Sequence, residues 1–138
     1  MPVNWHRLRT DLERHEGRRH TVYQDSEGVA TIGIGRNLES VGLSDDEIDY
    51  LLGADIRRAY LAAKAASSVF DVLTDRRQEV LVNMAFNLGE AGLKAFRQMH
   101  HALAVGDYSR AKAEMLDSLW ATQVGARATE LAEIMEAG

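Results

Sequence analysis

The chain has 138 residues, a length that suits one domain with a hydrophobic core of its own. Its 16 Lys and Arg against 21 Asp and Glu give a net charge of −5, which argues against nucleic acid as a partner because that binding needs a basic face. Cysteine is absent, which excludes disulfides, and no apolar run is long enough for a membrane-spanning helix or a signal peptide.

The first third of the chain combines a helix with a β-hairpin. Apolar residues at helical spacing predict a first helix over residues 4–16, with Gly17 just beyond its end. The segments 20–25 and 29–35 then predict two strands. The four residues that join them begin with Asp25, a residue type that favours the first position of a type I turn.

The remainder of the chain is predicted to be helical. Ser44 and Glu47 form a capping box at the start of a long helix, at about residues 45–66. Thr74 can cap a second helix, residues 75–88, which is apolar on nearly all sides and is therefore expected at the centre of the core. Three further helices are predicted from apolar residues spaced within 93–103, 111–119 and 128–135.

Together these elements predict an α+β fold that is mostly α. A small N-terminal lobe with a β-hairpin occupies about residues 17–43, and a long bridging helix occupies about 45–66. An all-helical C-terminal lobe occupies about residues 67–138, with the helix of residues 4–16 at the lobe boundary. We expect the whole chain, 1–138, to form a single domain.

Two carboxylates and a hydroxyl could carry chemistry at the lobe boundary. Glu16 stands at the C-terminal end of the first helix, where the dipole favours the protonated carboxyl that a general acid needs. Asp25 closes the first strand. Thr31 shares a strand face with Gly33 and Gly35, and such a bare face suits the wall of a cleft. The alternatives are a solvated glutamate, an ordinary turn aspartate and a hairpin that needs glycine for its twist.

In combination, Glu16, Asp25 and Thr31 resemble the catalytic segment of glycoside hydrolase family 24, the phage lysozymes of the T-even type. That family has a glutamate, eight residues, an aspartate, five residues and a threonine, and this chain has the same spacing without a gap. The resemblance covers nearly the whole chain. Further matching positions are Tyr23, Gly28, 31–35, Arg76, Arg77, 83–89, Phe96, Trp120 and 125–128.

The resemblance implies a lysozyme-like fold and a muramidase without metal or cofactor. The enzyme would cleave the β-1,4 bond between N-acetylmuramic acid and N-acetylglucosamine in peptidoglycan, with inversion at the anomeric carbon. Glu16 would be the acid and Asp25 the base, while Thr31 would help to hold the attacking water. Phe86 is a candidate sugar contact that could equally be ordinary core. The full set of candidate substrate contacts is Gly33, Gly35, Asn83, Phe86 and Asn87.

Three charged residues have structural roles by the same resemblance. Arg127 would lie behind Glu16 and pair with it. Arg36 stands where the family commonly has histidine, and Asp55 matches the aspartate that pairs with that histidine, so we expect an Arg36–Asp55 salt bridge. Only 18 residues separate Arg36 from Asp55, fewer than in the T-even enzymes, so the small lobe should be trimmed.

These features predict a phage or prophage muramidase for lysis of a Gram-negative host, acting as a monomer on peptidoglycan glycan strands. We expect it to wait in the host cytoplasm until a holin pore releases it to the periplasm, because no signal peptide is found. Two alternatives stay open. A virion-associated lysozyme used during infection would explain the acidity, and a peptidoglycan-binding scaffold with poor turnover would explain the trimmed lobe and Arg36.

Overall fold

The computed structural model describes residues 2–138. These residues form two compact units, the first ending at Asp49 and the second comprising Tyr50–Gly138. Within them lie seven α-helices, one short 3-10 helix and a three-stranded antiparallel sheet. The predicted class, α+β and mostly α, is confirmed. The unit boundary falls inside the long helix, and the first unit includes the N-terminal helix as well as the sheet.

The first unit is built on a helix with well-defined ends. Asn4 caps it by accepting the backbone N–H of Arg7 at 2.9 Å. Gly17, with φ +79°, ends it directly after Glu16. The first unit contains α1 (Trp5–Glu16), β1 (Arg19–Gln24), β2 (Ala30–Gly33), β3 (Arg36–Asn37) and the start of α2 (Asp45–Ala66).

The sheet has the order β1-β2-β3, with Tyr23 opposite Thr31 and Thr31 opposite Asn37. The hairpin is confirmed, but the prediction of one strand through residue 35 is wrong. The chain turns back at Gly33 and Gly35, with φ of +69° and +71°, and forms β3. Only glycine adopts such angles without steric cost, so the Gly-x-Gly pattern marks a turn here.

The second unit is helical, and several of its helices begin at polar caps, among them the predicted Thr74. Thr74 accepts the N–H of Arg77, and Asp107 accepts that of Arg110. A helix begun by Ser118 was missed, because apolar spacing continued past its cap. After α2, the elements are a 3-10 helix (Phe70–Val72), α3 (Asp75–Lys94), α4 (Arg97–Ala104), α5 (Tyr108–Leu116), α6 (Leu119–Val124) and α7 (Ala126–Ala137).

The core of the second unit is centred on α3, as its apolar pattern predicted. Val80, Leu81, Met84 and Ala85 are all at least 97% buried. Phe86, in contrast, keeps 47% of its surface exposed, so the alternative that it belongs to the core is wrong. Other fully buried side chains of this core are Phe70, Leu93, Met99, Met115 and Met135.

A buried arginine joins α3 to the end of α7. Arg77 donates from Nε to the carbonyl of Met135 at 2.8 Å and from Nη2 to that of Glu136 at 3.0 Å. Its guanidinium also lies 3.4 Å from the ring centroid of Tyr108. A cation at the carbonyl end of α7 satisfies acceptors that have no partner inside the helix.

Candidate active site

Asp25 follows β1 and organises the hairpin turn. Its Oδ1 accepts the backbone N–H groups of Glu27 at 2.8 Å and Val29 at 2.9 Å. Its own N–H donates to the carbonyl of Val29 at 3.0 Å. Oδ2 takes no part in these bonds. The turn role and a chemical role are therefore compatible, because one oxygen fixes the carboxylate and the other is left to accept a proton.

Thr31 lies on β2 with only 3% of its surface exposed. Its hydroxyl donates to the carbonyl of Val29 at 2.8 Å. Since a hydroxyl has a single proton, Thr31 can act toward any further partner only as an acceptor. Asp25 and Thr31 thus bind the backbone of the same residue, Val29. This link could not be predicted from the sequence, because it uses main-chain atoms that every residue carries.

Glu16, the last residue of α1, is exposed and lies against the turn that follows β2. A β-carbon placed on Gly35 would stand 2.8 Å from Oε2 and 2.9 Å from Cδ of Glu16. Gly33 has open space at the same position. The first unit therefore carries all three residues predicted to be catalytic, and its sheet and turn contact each of them.

Arg36 has a different partner from the one predicted. Its two Nη atoms donate to both carboxylate oxygens of Glu47, and Nη1 also donates to the carbonyl of Gly42 at 2.9 Å. Asp55, the predicted partner, instead accepts from Arg58 at 3.0 Å. Arg36 selects Glu47 because that residue lies in the first turn of α2, within reach of β3, and its carboxylate matches the guanidinium fork.

Glu47 is also half of the predicted capping box, which is confirmed. Its Oε1 accepts the N–H of Ser44 at 2.9 Å, and its own N–H donates to the Ser44 hydroxyl at 3.2 Å. The hydrogen bond from Arg36, followed by those from Ser44, lowers the pKa of Glu47 to about 2. This carboxylate therefore has a structural role. It binds β3, the strand that follows Gly35, to the start of α2.

In the second unit, Arg127 orients Asn83. It donates from Nε and Nη2 to Oδ1 of Asn83 at 3.0 and 2.6 Å, and from Nη2 to the Asn83 carbonyl. With Oδ1 engaged in this way, the Asn83 side chain offers its NH₂ group as a donor. Glu16 belongs to the other unit, so the pairing of Arg127 with Glu16 stays a prediction.

Beside Asn83 lies a groove of about 620 Å³ within the second unit. Leu52 and Ile56 of α2 line it together with Phe86 of α3 and Arg127 of α7. A groove with apolar walls and a few oriented polar groups is typical of small-ligand and sugar sites. Two of the predicted substrate contacts, Asn83 and Phe86, are brought together here.

The third predicted contact in this unit, Asn87, is oriented in a similar way. Trp120 donates from Nε1 to Oδ1 of Asn87 at 2.8 Å, which again leaves an amide NH₂ as the available donor. The Trp120 ring is 97% buried and meets Phe96 edge to face at 5.9 Å. A buried indole thus fixes the exposed amide one helical turn after Asn83.

The arrangement supplies the groups that hydrolysis of a glycosidic bond requires. Glu16 can donate a proton, and Asp25 and Thr31 can each accept a hydrogen bond from water. No helix in residues 2–138 is both long and apolar enough to cross a membrane. In the same part of the chain, no three acidic or histidine side chains are grouped so as to hold a metal ion. Fold and site together define a glycosidase of the lysozyme class.

Comparison with known proteins agrees with this class. Residues 13–133 match the phage lysozyme family, and the chain belongs to that family. It is 30% identical to the pre-baseplate central spike protein Gp5 of Enterobacteria phage T4, over 92% of this chain but only 27% of that protein. It is also 21% and 24% identical to probable T4-type lysozymes 2 and 1 of Dictyostelium discoideum, covering 94% and 92% of their lengths.

Proposed function

We propose that this chain hydrolyses the β-1,4 bond between N-acetylmuramic acid and N-acetylglucosamine in peptidoglycan. Glu16 is the general acid, Asp25 the general base and Thr31 the residue that orients the water. The observation that supports this assignment most directly is the shared backbone of Val29, which binds Asp25 through its N–H and Thr31 through its carbonyl. Through that link one residue of the hairpin binds two hydrogen-bond acceptors, the Asp25 carboxylate and the Thr31 hydroxyl.

The reaction then proceeds by a single displacement. Glu16 gives its proton to the glycosidic oxygen as the bond to the anomeric carbon breaks. Water donates one hydrogen bond to Oδ2 of Asp25 and one to the Thr31 hydroxyl, so its lone pair is directed at the anomeric carbon. Asp25 takes a proton as the new C–O bond forms. Exchange with solvent returns the proton to Glu16 and removes it from Asp25.

This route inverts the anomeric configuration, since water attacks the face opposite the leaving group. Proton NMR of a soluble peptidoglycan fragment during its first turnovers should therefore show the α-anomer before mutarotation. Early appearance of the β-anomer would contradict the assignment of Asp25 as a base and favour a nucleophilic role.

The central test replaces Glu16 by Gln and measures reducing ends released from purified Gram-negative peptidoglycan. We expect the activity of Glu16→Gln to fall by about 10²–10⁴-fold, because the amide cannot donate the acid's proton. Glu13→Gln is the matched control. It makes the same change one turn earlier on α1, at a residue bound to Arg18 at the surface, and should retain activity. Equal activity of Glu16→Gln and wild type would overturn the assignment.

The groups in the second unit suit the substrate chemically. The NH₂ groups of Asn83 and Asn87 can donate to the carbonyl oxygens of N-acetyl or peptide groups. Phe86 offers an apolar face for a sugar ring. We assign these three residues to substrate binding. The expected signature of Asn83→Ala is a raised KM with little change in kcat, because the contact is made equally before and during the reaction.

Host lysis is the first biological role we propose, with release from the host cytoplasm to the periplasm through a holin pore. A role in the virion is the second. It is favoured by the similarity to the T4 spike protein and by the net charge of −5. Immunoblotting of purified particles separates the two. Protein in the virion supports the second role, and protein found only in lysing cells supports the first.

A peptidoglycan-binding module with poor turnover remains the rival from a different class. Its discriminating experiment is a pull-down with insoluble peptidoglycan, run beside the assay of reducing-end release. Binding without release would favour the module. Release that depends on Glu16 favours the enzyme, because a binder has no need for a proton donor.

A further inference from the structure

The Glu16 side chain is in close contact with a backbone that has no β-carbon. Three consecutive side-chain atoms, Cγ, Cδ and Oε2, lie 3.2, 2.9 and 2.8 Å from the point where a β-carbon of Gly35 would stand. Such distances are shorter than ordinary van der Waals contact. The carboxyl therefore occupies space that exists only because residue 35 is glycine.

Gly33 provides an internal comparison, since it precedes Gly35 in the same Gly-x-Gly turn. Both have positive φ, +69° and +71°, so the turn alone explains glycine at either position. At Gly33, however, an added β-carbon would meet nothing within 4 Å. The two glycines look alike in sequence, yet only Gly35 is in contact with the acid.

We propose that Gly35 is a positioning residue that sets the location of the Glu16 carboxyl. The inference rests on the proposed function, in which Glu16 is the general acid. An alanine at position 35 would displace the carboxyl, because the end of a flexible side chain yields more easily than the sheet. Misplacing a reacting group by about 1 Å can cost on the order of 10²-fold in rate.

The test compares Gly35→Ala with Gly106→Ala on a soluble peptidoglycan glycan. Gly106 lies between α4 and α5 with φ +73° and open space around its Cα, so its substitution reproduces the backbone strain without the contact. We expect kcat of Gly35→Ala to fall by about 10²-fold with KM within about threefold, while Gly106→Ala keeps both. An unchanged kcat overturns the proposal. A raised KM at unchanged kcat makes Gly35 a substrate contact instead.

A double-mutant cycle with Glu16→Asp separates positioning from loss of stability. Aspartate is one methylene shorter and withdraws from the added methyl group, so Gly35→Ala should reduce kcat much less in the Glu16→Asp background than in wild type. If the two substitutions act independently, their fold reductions in kcat multiply in the double variant, and that result would overturn the proposal. Wild-type activity that is lost in Glu16→Gln confirms the proposed function separately, so failure of the cycle then concerns Gly35 alone.

A measurement on the wild type covers the case in which Gly35→Ala does not fold. The contact predicts a nuclear Overhauser effect between the α-protons of Gly35 and the γ-protons of Glu16 in solution. Its presence supports the positioning role. Its absence overturns that role whatever the variants show, because a carboxyl that does not rest on Gly35 cannot be placed by it.

Discussion

At the scale of single residues, the pair between Arg36 and Glu47 joins β3 to the start of α2. Arg36 follows Gly35 directly, and Glu47 belongs to the first turn of α2. The two side chains are about one third exposed, at 34% and 38%, so salt weakens their attraction. The same carboxylate caps the helix, so one substitution removes two kinds of bond.

The pH dependence of stability should report this pair. The folded-state pKa of Glu47, about 2, lies below its ordinary value of 4.5, so the stabilising contribution is complete above about pH 4.5. It is lost as the pH falls toward 2, where the folded state also takes up the proton. Wild type should therefore be more stable than Glu47→Gln from pH 7 down to about 5, and the two should converge below that.

Urea unfolding followed through the amide NMR signals of β2 would measure this difference at each pH. Glu39→Gln, at an exposed position in the loop before α2, serves as the control and should show no such convergence. A stability difference between wild type and Glu47→Gln that persists unchanged at pH 2.5 would mean that the charge of Glu47 does not carry the effect.

Spacing along the chain was enough to find the residues proposed for catalysis, but not the groups that hold them in place. Glu16, Asp25 and Thr31 are close in sequence and fall on one unit, so a linear pattern identifies them. The partner of Arg36 was predicted wrongly, because a long guanidinium side chain can reach several carboxylates and resemblance selected Asp55. Support from Val29 could not be predicted, since its main-chain groups carry no sequence signal.

At the scale of elements, α3 contains a kink at Gly89, directly after residue 88, where the sequence predicted the helix to end. Gly89 has φ +74° and ψ 175° in the middle of the helix, angles that essentially only glycine adopts. We expect Gly89→Ala to lower the free energy of unfolding by about 1–3 kcal/mol, because a β-carbon strains that conformation. Urea unfolding followed by circular dichroism measures the change.

Gly53 is the matched control for this substitution. It lies inside α2 with helical geometry, and an added β-carbon would meet nothing within 4 Å. Gly53→Ala should therefore raise the free energy of unfolding by about 0.5–1 kcal/mol, since alanine loses less backbone entropy in a helix. If both variants were stabilised, α3 would have straightened through the kink, and the role of Gly89 would be disproved.

Periodicity predicted which segments are helical better than where they break. Residues 93–103 were predicted to form one helix, but Leu93 belongs to α3 and the next helix, α4, begins at Arg97. Apolar spacing also continued through Ser118, which caps α6. The core positions are periodic in both cases, so the burial pattern does not change where the backbone turns. Breaks depend on local capping bonds, which apolar spacing does not record.

At the scale of the whole molecule, the net charge of −5 sets how the protein meets its substrate. The stem peptides of peptidoglycan carry carboxylates, so the protein and its substrate have like charges and long-range steering gives no advantage. We therefore expect the rate of wall hydrolysis at low substrate to rise, or to stay level, as salt increases from about 10 to 150 mM, where the screening length shortens to about 8 Å.

The double variant Glu130→Lys with Glu133→Lys tests the same argument by making the net charge of the protein less negative. Both glutamates are exposed on α7, neither is among the residues assigned to catalysis or binding, and each change replaces a negative charge by a positive one. The variant should be faster than wild type at low salt and should lose that advantage near 150 mM, because screening removes the attraction it gained. Initial rates on suspended cell walls across the salt series measure both slopes. A wild-type rate that falls steeply with salt would show that a local basic surface, rather than the net charge, governs encounter with the wall.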